Sequence, residues 1–320
     1  MKAKKLFDIL PVGFDINVEG PTDIDILGIS IDSRQISHSY LYGAFKGTLS
    51  DGHDYIEKAI DHGAGCIICE HVDHKKEGIT YIITSHVRAV IGEMAHIFFG
   101  YASEGLRLVG ITGTNGKTTV STLLYQLFSA LGYKCGLIST VENRIGDEVI
   151  PATHTTPDVV NLHKLVSKMK DAKCDYVFME VSSHAADQQR IAGLKFEGAL
   201  FTNISHDHLD YHLTMKNYIA AKKMFFDQLP SDAFALTNAD DKNGLVMLQN
   251  TKAKKLTYGL RTMADYKVKI LESSVEGLHL KINDREAYFR LIGEFNAYNL
   301  AAVYGASLQL GIEEDDILAI

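Results

Sequence analysis

The sequence lacks three features, and each absence argues against a class of protein. No apolar run reaches the ~20 residues of a membrane-spanning helix, and the best candidate, residues 89–101, contains Glu93 and His96. Basic residues are not in excess: 32 Lys and Arg against 40 Asp and Glu give a formal charge of −8, which argues against a nucleic-acid partner. Cysteine is scarce, with four in the chain, as expected where no disulfide staple is needed. The lysines near the start imitate a signal peptide, but polar residues interrupt the apolar segment that should follow, so we expect a cytoplasmic protein.

Length and patterning predict two α/β domains. The 320 residues are 46% hydrophobic and 22% charged, an ordinary globular composition. Short β-rich runs at 24–31 and 64–69 flank a helical pattern at 55–62, which indicates a small N-terminal α/β domain. A polar stretch at 101–105 marks the boundary, so we expect domains at residues 1–100 and 101–320.

Beyond the boundary, apolar strands alternate with amphipathic helices, which is typical of a mostly parallel sheet covered on both faces. Alternation over residues 265–293 indicates antiparallel strands instead. The predicted strands are 106–111, 135–139, 176–181, 199–204 and 234–237, and the predicted helices are 118–131 and 158–169.

A glycine-rich loop joins the first of these strands to the first helix, with glycines at 110, 113 and 116. In such loops backbone N–H groups approach phosphate oxygens; here Lys117 would neutralise their charge and Thr118 would reach Mg²⁺. The strict phosphate-loop pattern would place its first glycine at Ile111, so a plain glycine-rich turn is the alternative. The position between strand and helix favours a nucleotide site. ATP is preferred over GTP, although the loop alone does not separate them.

Polar side chains follow three predicted strands at the edge where parallel sheets bind ligands. Glu180 ends one strand and is a candidate Mg²⁺ ligand, with a solvated carboxylate as the alternative. Histidines at 206, 208 and 212 superficially resemble a zinc site, but no cysteine or second ligand pair completes it. We prefer to place one of these histidines beside a nucleotide-bound divalent ion.

Two further candidates have structural interpretations from the residues alone. Cys66 and Cys69 match a dithiol spacing, but residues i and i+3 of a strand face opposite sides. Lys222 lies on a predicted helix, where an exposed lysine is the ordinary outcome.

Taken in their order along the chain, the motifs of this sequence resemble those of the Mur ligase family. The resemblance is greatest to its MurE type, which adds the third amino acid to UDP-N-acetylmuramoyl-L-alanyl-D-glutamate. Together the matching blocks cover nearly the whole chain and are far more specific than any one of them. They are Asp-Ser-Arg at 32–34, Gly-Thr-Leu-Ser-Asp-Gly at 47–52, Gly-Thr-Asn-Gly-Lys-Thr-Thr at 113–119, Thr-Thr-Pro at 155–157, Met-Glu-Val-Ser-Ser-His at 179–184, Thr-Asn at 202–203, Asp-His-Leu-Asp-Tyr-His at 207–212, Ala-Ala-Lys at 220–222, Asn-Ala-Asp-Asp at 238–241 and Gly-Glu-Phe-Asn-Ala-Tyr-Asn at 293–299.

The resemblance implies an ATP-dependent ligase of peptidoglycan precursor synthesis that uses two Mg²⁺ ions. The implied catalytic residues are Lys117, Glu180, His208 and Lys222, and the implied metal-binding residues are Thr118, Glu180, His208 and Lys222, the last as a CO2-derived carbamate (N6-carboxylysine). The implied ATP-binding residues are Gly113, Thr114, Asn115, Gly116, Lys117, Thr118, Thr119, Asn238, Asp240 and Asn299. The implied contacts of the UDP-substrate are Ile31, Ser33, Thr48, Leu49 and Ser50 at its uridine diphosphate end, and Thr155, Thr156, Ser182, Gln188 and Arg190 at its muramoyl-peptide end.

The implied reaction transfers the terminal phosphate of ATP to the D-glutamyl γ-carboxylate and then lets an amine attack the acyl phosphate. Both reactants are anionic, so cations are needed to offset their repulsion. The incoming amino acid is diaminopimelate or lysine, and the sequence leaves this open. No nucleic acid, membrane span or obligate protein partner is expected, and the oligomeric state is also left open.

The end of the chain departs from the family pattern. An acidic helix start at residues 311–320 stops abruptly, and no Asp-Asn-Pro-Arg-type motif of the family's C-terminal, Rossmann-like domain occurs. That domain closes over ATP and supplies the amino-acid pocket. We therefore expect a truncated chain that lacks it and binds ATP and the UDP-substrate without full turnover.

Three alternatives are kept. A folylpolyglutamate synthetase-like ligase shares the phosphate loop but normally lacks the first domain, so the motifs at 32–34 and 47–52 argue against it. A non-catalytic nucleotide-binding module is supported by the apparent truncation, and a small-molecule kinase shares the phosphate-loop fold. Dependence of phosphate release on the UDP-muramoyl-dipeptide separates the ligase from the kinase.

Overall fold

The computed structural model describes residues 3–48, 50–152, 154–205, 207 and 209–320. The chain divides into two compact α/β units, which confirms the expected fold class. The first unit comprises Met1–Ala102, Asp158–Ser167 and Gln188–Leu194, and the second comprises Ser103–Pro157, Lys168–Asp187 and Lys195–Ile320.

Two segments that the sequence pattern assigned to the second domain pack in the first unit. Val159 and Val160 are buried in the first unit's core. At Gly193, an added Cβ would lie 2.6 Å from the carbonyl oxygen of Gly92, so the two backbones meet closely. A prediction that treats each domain as one continuous stretch of chain misses segments that return to the first unit, because tertiary packing determines where they lie.

The first unit contains, in chain order, β1 (Lys4–Lys5), α1 (Leu6–Ile9), β2 (Asn17–Glu19), β3 (Asp25–Ile26), β4 (Gly28–Ser30), β5 (Tyr40–Gly43), α2 (Ile56–Asp61), β6 (Ala64–Cys69), β7 (Thr80–Ile83) and α3 (Val87–Phe98). Its main sheet has the order β2-β7-β6-β5-β4, with parallel neighbours except for β2, and β1 pairs with β3 separately. The predicted strand at 24–31 is divided into β3 and β4, and Gly63, at φ +104°, follows α2 as expected.

Strand β6 faces two different hydrophobic clusters. Cys66 packs in the cluster that contains Ile91 and Met94 of α3. Cys69 packs in the cluster that contains Ile56 of α2. The prediction that these cysteines face opposite sides is confirmed, and burial raises the pKa of both thiols, that of Cys69 to about 11. Neither thiol is therefore a reactive thiolate.

The second unit contains β8 (Arg107–Thr112), α4 (Lys117–Ala130), β9 (Cys135–Ile138), β10 (Glu142–Ile145), β11 (Glu148–Pro151), the end of α5 (Val159–Asp171), β12 (Tyr176–Glu180), α6 (Ser183–Asp187), β13 (Gly198–Phe201), α7 (Leu209–His212), α8 (Met215–Asp227), β14 (Phe234–Asn238), α9 (Gly244–Met247), β15 (Lys254–Gly259), β16 (Tyr266–Ser273), β17 (Leu278–Ile282), β18 (Arg285–Phe289), α10 (Glu294–Gln309) and α11 (Glu314–Ala319). The sheet order is β11-β10-β9-β12-β8-β13-β14-β15-β16-β17-β18. Strands from β9 to β16 in this order run parallel, and antiparallel hairpins flank them, as expected for residues 265–293.

Helices cover both faces of the parallel strands. Val109 and Ile111 of β8 point into the cluster that α4 and α10 cover. On the other face Gly110 leaves room for Phe225 of α8, whose ring would lie 2.4 Å from an added Cβ. Full burial of such a phenylalanine stabilises by about 2–3 kcal/mol. This packing fixes the carboxyl end of β8, from which the glycine-rich loop starts.

None of the described helices combines the length and the apolarity that crossing a membrane requires.

Candidate functional site

The glycine-rich loop leaves the centre of the second unit's sheet and enters a long helix. It follows β8 at Gly113 and leads directly into α4 at Lys117. Gly113 and Gly116 have φ of +148° and +85°, which L side chains rarely adopt. A Cβ on Gly113 would also collide with the Thr202 hydroxyl. Glycine at these positions is therefore required by the backbone path and by the close approach of β13.

The end of β13 holds the loop in shape. Thr202 donates its hydroxyl to the carbonyl of Asn115 at 2.6 Å. The Asn203 side-chain oxygen accepts from the Asn115 backbone N–H at 3.1 Å, and its carbonyl accepts from Thr114 N–H at 2.8 Å. The loop is thus preorganised by neighbouring side chains, a role that the sequence interpretation did not assign to them.

Two lysines converge on one carbonyl of this loop. Lys117 donates through Nζ to the carbonyls of Gly113 at 3.0 Å and Thr114 at 2.9 Å. Lys222 of α8 donates to the same Gly113 carbonyl at 2.9 Å. It is 1% exposed, so the expectation of an exposed helical lysine is wrong. Tyr218, one turn earlier, lies under Lys222 Nζ at 4.7 Å, so this face of α8 points at the loop.

Burial lowers the pKa of Lys117, although the charges of Glu180 and Asp207 oppose this. The pKa of Lys222 is lowered much further, first by burial and then by the charge of Lys117, with Asp207 again opposing. A lowered pKa shifts a lysine towards the neutral amine, which is the nucleophilic form.

Glu180 lies at the carboxyl end of β12 and is fully buried, which is not the solvated carboxylate of the alternative interpretation. It accepts hydrogen bonds from the Thr118 hydroxyl at 2.9 Å and from Thr140, through its backbone N–H at 2.8 Å and its hydroxyl at 3.1 Å. Thr118 and Glu180 therefore present two hard oxygen donors side by side, the chemistry that Mg²⁺ prefers.

The histidine cluster is described only in part. His206 and His208 lie outside the described residues. His212 is buried, with Nε2 3.0 Å from the Ser183 hydroxyl. In the part of the chain that the structure describes, no group of three or more His, Cys, Asp or Glu side chains has metal-binding geometry.

A cavity of about 570 Å³ opens beside the phosphate loop. Its lining residues are Asn115, Gly116, Thr119, Thr202, Asn203, Asn238, Tyr258, Phe295, Tyr298 and Asn299. Asn238, Asn299 and the loop residues were predicted at an ATP site. Phe295 and Tyr298 were not singled out, although both lie inside the quoted block at 293–299. The cavity combines amide groups with aromatic rings, a lining suited to a nucleoside.

Asp240 is not among the residues that line this cavity. Its carboxylate accepts backbone N–H groups of Leu260 at 2.7 Å, Arg261 at 2.8 Å and Thr262 at 2.6 Å. It also accepts the Tyr298 hydroxyl at 3.0 Å. Burial acts to raise the pKa of Asp240, but these hydrogen bonds outweigh it and hold the pKa below its usual range. Asp240 thus fixes a turn and the Tyr298 side chain.

A second cavity, of about 660 Å³, lies in the first unit. Ile31, Ser33 and Ser50, which were predicted to contact the UDP-substrate, line it, whereas Thr48 is exposed and is not among the lining residues. Leu49 lies outside the described residues. The further lining residues are Gly28, Ile29, Ser30, Asp32, Arg34, Gln35, Tyr40, Tyr42, Gly43, Phe45, Gly47, Gly52, Tyr55, Lys58, Phe99, Asp158, Val160, Asn161 and Lys164. The sequence interpretation missed the contribution of α5, since it placed that helix in the other domain.

The five predicted contacts of the muramoyl-peptide are divided between the units. Gln188 and Arg190 belong to the first, where the Gln188 side-chain oxygen accepts from Arg190 Nε at 3.0 Å. Thr155, Thr156 and Ser182 belong to the second. Thr156 is buried and donates its hydroxyl to the Glu180 carbonyl at 2.9 Å.

A phosphate loop at the carboxyl end of a mostly parallel sheet, with a nucleoside-sized cavity beside it, defines a nucleotide-binding domain of the phosphate-loop class. Two family models match the chain: the Mur ligase middle domain over residues 111–307, and the catalytic domain of the Mur ligase family over residues 25–97. The chain belongs to the Mur ligase family, as its motifs indicated.

Individual relatives agree with this assignment. Over 315 residues the chain is 52% identical to the UDP-N-acetylmuramoyl-L-alanyl-D-glutamate–2,6-diaminopimelate ligase of Bacteroides fragilis, covering 98% of this chain and 65% of that protein. The ligase of the same name from Parabacteroides distasonis is 53% identical over 302 residues, covering 94% and 62%. A solved structure of such a ligase matches with a TM-score of 0.87 at 27% identity, covering 99% of this chain and 66% of that one. The chain thus spans about 65% of the length of the Bacteroides fragilis relative.

Proposed function

We propose that this chain binds ATP and UDP-N-acetylmuramoyl-L-alanyl-D-glutamate and serves the ligase reaction that adds diaminopimelate to that nucleotide. Identity of 52% to a ligase so named supports the choice of diaminopimelate over lysine. The chain spans about 65% of that relative's length, so the proposal concerns the binding of these two compounds and the residues that hold them. The four free, buried cysteines are compatible with work in the reducing cytoplasm.

The observation that carries the proposal is the pair of lysines on one loop carbonyl beside a buried carboxylate. Lys117 and Lys222 both donate to Gly113, and Glu180 accepts from Thr118 next to the same loop. A site that brings two anionic reactants together needs charged and polar groups that are already held in place. In the proposal, residues 113–119 hold the phosphates of ATP. Asn238 and Asn299 face its nucleoside, while Asp240 acts by holding Tyr298 in place.

The donor set at the loop fits a magnesium ion. Thr118 and Glu180 would hold it, together with His208, and a second ion would bind a carbamate of Lys222. When bound, Mg²⁺ offsets the negative charge of the transferring phosphate. The residues themselves supply oxygen donors that are already oriented, because Thr140 fixes both oxygens of Glu180.

Lys222 suits carbamate formation because its low pKa favours the neutral amine. Its lone pair would attack the carbon of CO2, forming an N–C bond and releasing one proton. The buried neutral amine would thereby become an anion, and Tyr218 would keep the side chain beside the loop.

The reaction then follows from charge and position. A γ-carboxylate oxygen of D-glutamate attacks the terminal phosphorus of ATP, and the bond to ADP breaks. The amine of diaminopimelate attacks the resulting acyl carbon, phosphate leaves, and the nitrogen loses a proton. Lys117 reduces the repulsion between the two anions in the first step. Ile31, Ser33, Ser50, Gln188 and Arg190 would hold the nucleotide substrate, with Thr155, Thr156 and Ser182.

The test is titration calorimetry of the chain with Mg-ADP and, separately, with UDP-N-acetylmuramoyl-L-alanyl-D-glutamate, followed by mass spectrometry of mixtures containing ATP and either diaminopimelate or lysine. We expect saturable binding of each nucleotide and phosphate release that depends on the UDP-substrate. Any tripeptide product should contain diaminopimelate. Binding of a folate in place of the UDP-substrate would favour the folylpolyglutamate synthetase alternative, and binding of ADP alone would favour a non-catalytic module.

A further inference from the structure

Arg88 is not among the residues that line the first-unit cavity, but it contacts one of them. Arg88 lies in the first turn of α3 and is half-buried. Its guanidinium carbon lies 4.5 Å from the ring centroid of Phe45, which lines the cavity. A cation held over an aromatic ring is attracted to the negative face of that ring. Arg88 therefore fixes the position of one cavity wall.

The same guanidinium makes hydrogen bonds to two separate parts of the chain. Nη2 donates to the carbonyl of Lys46 at 2.5 Å, and Nη1 lies 3.4 Å from the carbonyl of Gln188. Lys46 opens the turn that carries Gly47 and Ser50 into the cavity lining. Gln188 starts the segment Gln188–Leu194 that returns to the first unit. One planar group thus joins the cavity turn to that returning segment.

Backbone hydrogen bonds join the described residues of this turn, which are 45–48 and 50–52. Gly47 N–H donates to the Ser50 carbonyl at 2.9 Å, and Gly52 N–H donates to the Phe45 carbonyl at 3.0 Å. At the far end His53 Nδ1 lies 2.6 Å from Asp51, and its ring stacks on His71 at 4.4 Å. Arg88 holds the near end.

We propose that Arg88 is a positioning residue for the UDP-substrate. It sets residues 45–48 and 50–52 of the cavity turn relative to Gln188 and Arg190, so that the uridine end and the peptide end of one ligand meet preformed contacts. This inference rests on the proposed function, which places both segments at that ligand. Lysine does not replace arginine here, because a single ammonium on a flexible stem lacks the planar fork that reaches both carbonyls.

The experiment is calorimetry with Arg88→Ala and Arg88→Lys, using UDP-N-acetylmuramoyl-L-alanyl-D-glutamate, UDP and Mg-ADP as separate ligands. For Arg88→Ala we expect the Kd of the UDP-dipeptide to rise at least tenfold and that of UDP to rise less, about threefold, because UDP lacks the peptide end that Gln188 is proposed to contact. Arg88→Lys should recover part of the loss, since it retains the charge over Phe45. The Kd of Mg-ADP should stay within twofold of wild type.

The matched control is Arg144→Ala, since Arg144 of the second unit also lies over an aromatic ring, 5.8 Å from that of Tyr125, and pairs with one carboxylate. It should leave the UDP-dipeptide affinity unchanged. Thermal unfolding of each variant identifies any that fails to fold. If Arg88→Ala does not fold, Arg88→Lys decides, and its affinity for the UDP-dipeptide is expected to fall about threefold. Wild-type affinity for the UDP-dipeptide in a folded Arg88→Ala protein would overturn this inference but not the proposed function. If wild type does not bind the UDP-dipeptide, the proposed function fails and the inference fails with it.

Discussion

Replacing Glu180 by glutamine separates the electrostatic role of this buried side chain from its structural role. The carboxylate accepts three hydrogen bonds from Thr118 and Thr140, and glutamine keeps the shape and one of the two oxygens. The stability lost should be about 1 kcal/mol, the net value of one hydrogen bond. The lost charge matters more near a cation: two unit charges 4 Å apart interact by about 4 kcal/mol at an effective dielectric constant of about 20. After the cost of desolvation, we expect a net loss of about 2–3 kcal/mol, or roughly 30- to 150-fold in Kd.

The assay is calorimetric titration of the wild-type and variant proteins with ADP, once in the presence of Mg²⁺ and once in EDTA. Glu180→Gln should weaken binding by that factor with Mg²⁺ and by less than threefold in EDTA, because the proposed role acts through the metal. Glu142→Gln is the matched control, since Glu142 pairs with Arg144 on β10 instead of facing the loop. An equal loss in both conditions, or no loss in either, would refute the assignment of Glu180 to the metal.

Three further predictions address other parts of the molecule. Lys222→Met should abolish both the carbamate signal in ¹³C NMR under labelled CO2 and any phosphate release, and a retained signal would contradict this. The thermal midpoint should be no lower than that of wild type, because the substitution removes a buried amine and Lys117 still donates to the Gly113 carbonyl. Tyr298→Ala should weaken ADP binding about tenfold and Tyr298→Phe about threefold, with tripolyphosphate binding unchanged in both, and an equal effect on tripolyphosphate would show that Tyr298 does not face the nucleoside. His163 has a pKa lowered from 6.5 to about 4 by burial, so its folded form stays neutral while the unfolded form gains a proton. Its contribution to stability is present above pH 6.5 and is lost as pH falls towards 4, by about 3 kcal/mol, and thermal unfolding of His163→Gln across this range should show a smaller dependence on pH than wild type.

The local patterns of the second unit could be read from the sequence because strand, loop and helix succeed one another along the chain. The buried run before Gly113 and the amphipathic helix after it sufficed to place the phosphate loop at a sheet end. Glu180 followed from the same reasoning, since parallel strands end at one edge.

The environment of Lys222 and the first-unit cavity depend on contacts between distant segments. Lys222 is buried because Tyr218, Ala221 and Phe225 turn that face of α8 inward, and composition alone gave the opposite answer. The cavity includes Asn161 and Lys164 because the start of α5 packs in the first unit. No pattern in the residues of α5 distinguishes that placement from the one expected by chain order.

The central claim is that one chain holds both an ATP site and a site for UDP-N-acetylmuramoyl-L-alanyl-D-glutamate. Calorimetric titration of the 320-residue chain with that UDP-dipeptide, in the presence and absence of saturating Mg-ADP, tests it most directly. We predict saturable one-to-one binding in both conditions. The absence of binding in both, by a chain that binds Mg-ADP, would contradict the account.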